Sequence, residues 1–245
     1  MRPVCKLTLF IILVSMSFGL PARSDEPRPT VKETVVAGPN QVTLKVRMEG
    51  PITADVPLQI ICYFKYTEAG AKRMFGAPVE LDKQLGGVIG ALRERGEFVG
   101  DELETILITQ PKGAIKPTAL LLIGLGDEAG LTLERMERVG KVALREASRL
   151  GTRKTAFAPF IRDQGYSKIG TGEVEKAVTR GMLLAYDTEQ RLQREGLRKS
   201  FLLEEWWVEA GPEFFDETVA GVKKATTEVT DLIKTRVDKP YTSRK

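Results

Sequence analysis

Residues 118–147 read TALLLIGLGDEAGLTLERMERVGKVALREA, and the fold class is read most directly from them. Ala119–Ile123 is an unbroken apolar run of strand length, suited to a sheet interior covered on both faces. Gly124-Leu125-Gly126-Asp127 closes it. Thr132 then stands where a helix N-cap belongs, and Glu134 places a negative charge in the first turn, which suits the helix dipole. Arg135 occupies the position where a capping box wants Glu or Gln. Leu133, Met136, Val139, Val142 and Ala143 recur at helical spacing, with Ala147 and Leu150 beyond, and predict an amphipathic helix to about Leu150. Strand, glycine turn and helix in that order form the repeating unit of an α/β domain.

The same alternation extends in both directions. Upstream, Gln41–Met48 places Val42, Leu44, Val46 and Met48 on one face of a half-buried strand, and Leu58–Phe64 is a continuous apolar strand. Tyr66–Pro78 reads as an irregular connection. From Glu80 to Arg95, Leu81, Leu85, Val88, Ile89 and Leu92 share a helical face, interrupted by Gly86, Gly87 and Gly90, each about 1 kcal/mol less favourable in a helix than alanine. Glu104–Gln110 is a further strand. Downstream come a strand at Thr155–Phe160, a helix opening at Thr171 or Gly172 and running to about Leu192, a strand at Phe201–Val208, and a last helix from Phe214 or Asp216 to about Arg236. This order predicts a three-layer α/β/α domain with a mixed, mostly parallel sheet.

Around that domain, residues 1–24 read as a secretory signal. Arg2 and Lys6 precede the apolar run Leu7–Phe18, and Ala22-Arg23-Ser24 offers small residues at the cleavage positions. The run falls short of the roughly 20 residues of a bilayer span, so cleavage after Ser24 and a periplasmic or secreted protein are expected, with an uncleaved anchor as the rival. Asp25–Asn40 is expected to be a flexible leader, 41–236 the domain, and 237–245 a polar tail. Removing Arg2, Lys6 and Arg23 from the 37 basic residues leaves 34 against 33 acidic ones, which gives no support to nucleic-acid binding. No membrane span is expected after cleavage. Histidine is absent, so Ser-His-Asp and Cys-His machinery and His-containing zinc sites cannot be built. Cys62 is the single cysteine beyond the signal and reads as a buried small apolar residue.

Three segments carry a family resemblance: LDKQLGGVIGALRERGEFVGDELETILI (81–108), the stretch 118–147, and EVEKAVTRGMLLAYDTEQRL (173–192). In this order they resemble the N-terminal domain of leucyl aminopeptidases. The resemblance implies a macro-domain-like fold that, in the full enzymes, precedes a separate two-metal catalytic domain and helps to assemble the oligomer. The N-T-D-A-E-G-R stretch of that catalytic domain has no counterpart here, and Lys245 falls about where it would begin. No catalytic residue, metal ligand or cofactor is therefore carried over.

The expected function is a non-catalytic binding or assembly module of the cell envelope, working through a protein partner or self-association. One alternative is a subunit or degenerate member of a metallo-aminopeptidase that works with a separate catalytic chain. Another is a nucleotide or ADP-ribose binder. For the last, Gly124, Gly126 and Asp127 form a turn whose amides could hold a phosphate, meeting only the looser G-x-G-x-x-A pattern with Ala129, and Gly86-Gly87 could form a second wall. Tight turns and close packing explain the same glycines. Asp101, Glu102 and Glu104, and the pair Glu80 and Asp82, fit a solvated face better than an oxygen-ligand metal site. Trp206 and Trp207 point to opposite faces of their strand, so one could anchor an interface unless both faces are covered.

Overall fold

The computed structural model describes residues 31–109, 111 and 113–236. The signal at 1–24, the first residues of the expected leader and the tail at 237–245 lie outside the described residues. In chain order the elements are β1 (Glu33–Ala37), β2 (Thr43–Arg47), β3 (Leu58–Tyr63), α1 (Glu68–Arg73), α2 (Ala77–Gln84), α3 (Val88–Glu94), β4 (Thr105–Thr109), β5 (Ala119–Gly124), α4 (Leu133–Leu150), β6 (Lys154–Ala158), α5 (Thr171–Arg194), β7 (Glu205–Glu209) and α6 (Phe215–Thr235). The seven strands form one sheet in the order β1-β2-β7-β6-β3-β5-β4. β2, β7, β6, β3 and β5 run parallel, and the edge strands β1 and β4 are antiparallel to their neighbours. The mixed, mostly parallel sheet read from the sequence is present.

Alternation along the strands gives the sheet two different faces. One carries Leu44, Val46, Leu58, Ile60, Cys62, Phe157, Trp206 and Val208 against α4, α5 and α6. These helices lie close because glycines meet at their crossings. A Cβ on Gly140 would overlap the carbonyl oxygen of Val178, one on Gly181 that of Glu137, and one on Gly221 that of Gly172. The opposite face carries Ile61, Tyr63, Leu120 and Leu122 against Leu81 of α2, Ile89 of α3 and Phe98. Over its β6–β7 half no helix of the described residues is laid: Ala54 and Val56 of the β2–β3 connection pack on Ala156 and Trp207.

Several expectations are corrected. The leader does not extend to residue 40. β1 pairs with β2 through a turn in which Asn40 and Gln41 take positive φ, and Val36 packs against the core. Residues 66–78 are not irregular throughout, since Thr67 caps α1 by accepting the Gly70 N–H at 3.0 Å. The helix expected over 80–95 is two helices, because Gly86 (φ 72°) and Gly87 (φ 79°) are left-handed, and Asp82 then accepts the Ile89 and Gly90 N–H groups at 2.8 and 3.1 Å to start the second. The last strand starts at Glu205 and not Phe201. The Phe201 backbone is bound by side chains of α5, its N–H by Gln193 Oε1 at 3.0 Å and its carbonyl by Gln190 Nε2 at 2.8 Å. Leu133 and Leu150, expected on the inner stripe of α4, are exposed at its ends.

Candidate functional site

The chain winds from β3 to β5 in one direction and from β6 to β7 in the other, so the sheet switches direction between β3 and β6. In open α/β sheets, crevices form outside the strand carboxyl ends at such a point. Here the crevice between those two strands is filled by Gln164. Its Oε1 accepts the Phe64 N–H at 2.9 Å, and its Nε2 donates to the carbonyls of Cys62 and Phe160 at 3.1 Å each. Arg93 completes the plug by donating to the Phe64 carbonyl at 3.0 Å with its guanidinium 4.5 Å over the Tyr63 ring.

The open space lies beside this plug, at the carboxyl ends of β2, β7 and β6. It is a cleft of about 830 Å³. Phe75, Phe160, Ile161, Tyr166 and Phe214 supply apolar walls. Phe160 holds a φ of 54°, unusual for a bulky side chain, and packs edge-on against Tyr63. The floor is acidic. Glu175, in the first turns of α5, is 1% exposed, and its Oε2 makes no hydrogen bond. Burial pushes its carboxyl up to about 8. Glu209, at the end of β7, has both carboxyl oxygens buried and unbonded; burial, then the nearby Glu49 carboxylate, hold it well above the ordinary range. The Gln59 amide pulls the other way but falls short of a hydrogen bond. Glu49 lies 3.3 Å from the Arg47 guanidinium. Asp163, on the opposite wall, is also raised by burial. The single arginine of the lining, Arg162, is already engaged by Thr171 Oγ1 (3.0 Å) and the carbonyls of Tyr166 (3.3 Å) and Ile169 (3.1 Å). Chemically, the site offers buried carboxyl groups, of which Glu175 holds its proton up to about pH 8, and few cationic partners.

The residues named from sequence lie elsewhere. Gly124 and Gly126 pack against Gly100–Glu102, where a Cβ on Gly124 would overlap the Asp101 carbonyl. The turn is closed by Arg135, which donates to the Leu125 and Asp127 carbonyls at 2.9 and 3.1 Å and pairs with Glu102 at 3.0 Å. Gly86 and Gly87 open to solvent at the α2–α3 junction, and the cleft is lined by neither turn. Asp127 borders a separate, small recess with Lys65, Arg73 and Arg93. Trp206 and Trp207 are both buried, so neither is an exposed anchor. Trp206 stacks on Phe157 under the long helices, and Trp207 is capped by Arg47, 3.9 Å from its ring centre, while its Nε1 donates to Glu205 at 2.7 Å. Of the acidic clusters, Asp101 pairs with Lys65, Glu102 with Arg135 and Arg138, and Glu104 accepts the Gly100 and Asp101 N–H groups. Among the described residues no three carboxylate or cysteine side chains converge as a metal site would need. Cys62 is buried, and its thiol is pushed up by that burial, which makes it unreactive.

Sequence reasoning passed over Glu49, Glu175 and Glu209. One signal was available: Glu175 precedes Thr179 by one turn and Met182 by two, so a carboxylate occupies a buried position of α5.

A model of the cytosol aminopeptidase family, N-terminal domain, matches residues 63–195. Probable cytosol aminopeptidases of Geotalea uraniireducens and Alkaliphilus oremlandii are each 29% identical, over 48% and 56% of this chain. The chain spans only 24% and 28% of their lengths. Among solved structures, a tomato leucine aminopeptidase variant superposes with a TM-score of 0.52 at 16% identity, over 74% of this chain and 35% of that one. An Oceanobacillus iheyensis macrodomain variant superposes at 0.56 with 11% identity, over 82% and 98%. These structures share the fold.

Proposed function

The chain belongs to the cytosol aminopeptidase family by its N-terminal domain, and from that premise we propose that it is a non-catalytic binding and assembly module acting through protein–protein contacts in the cell envelope. The observation that carries this reading is the mouth of the cleft, where Phe75 is 58% exposed, with Val79 46% exposed in the groove beside it. That groove adds the half-buried Ile52 beside Val79, with Pro51 buried. Contiguous exposed apolar surface of this kind marks contact sites. The envelope location is supported by Arg2, Lys6 and the apolar run 7–18. No helix among the described residues is long and apolar enough to cross a membrane. Sedimentation of the chain starting at Asp25, alone and mixed with the separately expressed catalytic region of a family member, tests the proposal. Self-association or a mixed complex is expected. A strict monomer that ignores the catalytic region at every concentration overturns it.

A second reading, a subunit serving a separate catalytic chain, is favoured by the match of residues 63–195 to the N-terminal domain of an aminopeptidase family. Leucine-anilide hydrolysis with manganese separates the two: activity that appears only on adding a catalytic chain supports the second, and activity of the purified chain alone removes the non-catalytic reading. A nucleotide fits less well. Arg135 closes the glycine turn, and Glu217 accepts the Gly172 N–H at 2.8 Å where the α5 N-terminus would receive an anion.

A further inference from the structure

We propose that the cleft receives a basic side chain, lysine or arginine, carried on an apolar-flanked segment of a partner polypeptide. The proposal rests on the binding-module reading and names the partner's chemistry.

The floor supplies the first argument. Glu175 and Glu209 line the cleft, and Glu175 Oε2 and both carboxyl oxygens of Glu209 are shut off from water without a hydrogen bond, so an occupant reaches them by a small turn of either side chain. Buried polar atoms are ordinarily paired, and clusters that are not are candidates for an occupant. Once Glu175 has lost the proton that burial makes it hold up to about pH 8, these oxygens are acceptors. The groups facing Glu175 and Glu209 are Cys62 of β3, Gln59 of β3, Glu49 after β2 and Arg47 of β2, and their donors are the Gln59 amide, the Arg47 guanidinium and, weakly, the Cys62 thiol. The complement of such a floor is a group with several N–H donors and a positive charge. Ammonium and guanidinium are the side chains of that kind.

The other ligand classes fit poorly. A divalent cation needs convergent oxygen ligands, and no such convergence exists among the described residues. An anion would meet Glu49, Asp163, Glu175, Glu209 and Glu213, while Arg162 is already bonded to Thr171, Tyr166 and Ile169.

The walls identify the carrier. A lysine or arginine stem is apolar for most of its length, and Phe160, Ile161, Tyr166 and Phe214 give it an apolar sleeve. At the mouth, Gly50, Pro51 and Ala77 are shared with the neighbouring groove of about 620 Å³, which ends at Val79. A free amine would leave that groove and the exposed Phe75 ring untouched. A polypeptide segment with apolar residues beside the basic one covers both.

The test uses the chain starting at Asp25 and three probes: n-butylguanidinium, sodium butyrate, and a peptide with one arginine flanked by leucines. With the carboxyl of Glu175 labelled with carbon-13, the arginine peptide is expected to lower its titration midpoint by about one pH unit or more, because a bound cation favours the charged carboxylate. The peptide is expected to bind at least about tenfold more tightly than n-butylguanidinium, and butyrate not to bind. Glu175→Gln with Glu209→Gln, checked for fold by circular dichroism, is expected to abolish binding. Phe75→Ser is expected to weaken the peptide and leave n-butylguanidinium unchanged. If neither cation binds, or binding survives the double substitution, the proposal is overturned. Small-cation binding as tight as the peptide's overturns the polypeptide carrier. The sedimentation experiment stands apart: association that persists in the double-substituted chain keeps the assembly reading while this inference falls, and a monomer that binds the arginine peptide does the reverse.

Discussion

The two faces of the sheet are built to opposite standards. On one, three helices of about six, seven and five turns close over Leu44, Ile60, Phe157 and Trp206 with glycines at their crossings. On the other, two short helices, α2 and α3, cover the β3–β5 half, a loop covers part of the rest, and three carboxyl groups are left under an open cleft. Close packing stabilises because interiors have crystal-like density, and the first face has it. The second keeps buried acceptors unpaired, which destabilises a fold and is tolerated where a site needs it. The difference places the close packing on the long-helix face and the cleft of the proposed binding role on the other.

The largest effect that would break this comparison sits at the α4–α5 crossing. Gly181→Ala places a methyl group inside the backbone of Glu137, and backbone cannot step aside as a side-chain tip can. Helix separation must increase along the whole contact. Overpacking of this kind costs about 3 kcal/mol or more, read as a fall in urea midpoint or as loss of soluble protein. An unchanged midpoint would mean that the helices are not held at this distance.

Glu175→Gln acts in the opposite direction and depends on pH. Burial raises the folded-state pKa from the ordinary 4.5 to about 8. Below pH 4.5 the carboxyl is protonated in both states and costs nothing. Between the two values the unfolded chain has released a proton that the folded chain retains, so stability falls as pH rises, by roughly 1.4 kcal/mol per unit. By pH 7 the accumulated loss is on the order of 3 kcal/mol. The glutamine variant lacks this titration. Its stability relative to the parent is therefore expected to climb from pH 4.5, level off above pH 8, and be flat if Glu175 is in fact solvated. Denaturant titrations at a series of pH values measure it.

Legibility divides along the same line. α4, α5 and α6 were readable because a long helix packed on one side repeats its apolar positions several times, as Met136, Val139, Ala143 and Ala147 do. The central strands were readable as runs of Leu and Ile. The open face was not. Its helices are too short to establish a period, and the break at Gly86–Gly87 looks in sequence like three costly glycines in one helix. The cleft was hidden more deeply. Glu49, Glu175 and Glu209 come from three separated segments, and their shared property, burial without a hydrogen bond, exists only once β2, α5 and β7 stand side by side. What drew attention instead, the Gly124–Asp127 turn, is a packing site closed by Arg135. β1 escaped because ETVVA is only five residues long and follows a polar stretch with Pro27 and Pro29.

A moderate effect is expected at Gly87. A Cβ there meets no atom within 4 Å, so space is not the constraint, but a φ of 79° is one that alanine adopts unfavourably. Gly87→Ala should lower stability by about 1–2 kcal/mol. Hydrogen exchange should show the loss as earlier opening of α2 and α3 while α4 and α5 stay protected, because the left-handed junction belongs to the thin layer alone. Loss of protection on both faces at once would show the two layers to be one cooperative unit.

The smallest stability change is the sharpest separation of the two roles. Phe75 is 58% exposed, and its ring adds little to any core. Phe75→Ser should stay within about 0.5 kcal/mol of the parent in denaturant. The same substitution removes the largest exposed apolar side chain at the cleft mouth, and hot spots of association are large apolar or aromatic residues of this kind. Self-association or binding to a partner, followed by sedimentation, should therefore weaken while the unfolding midpoint holds. If the midpoint falls with the association, Phe75 is holding the fold together, and the thin face cannot be assigned to contact alone.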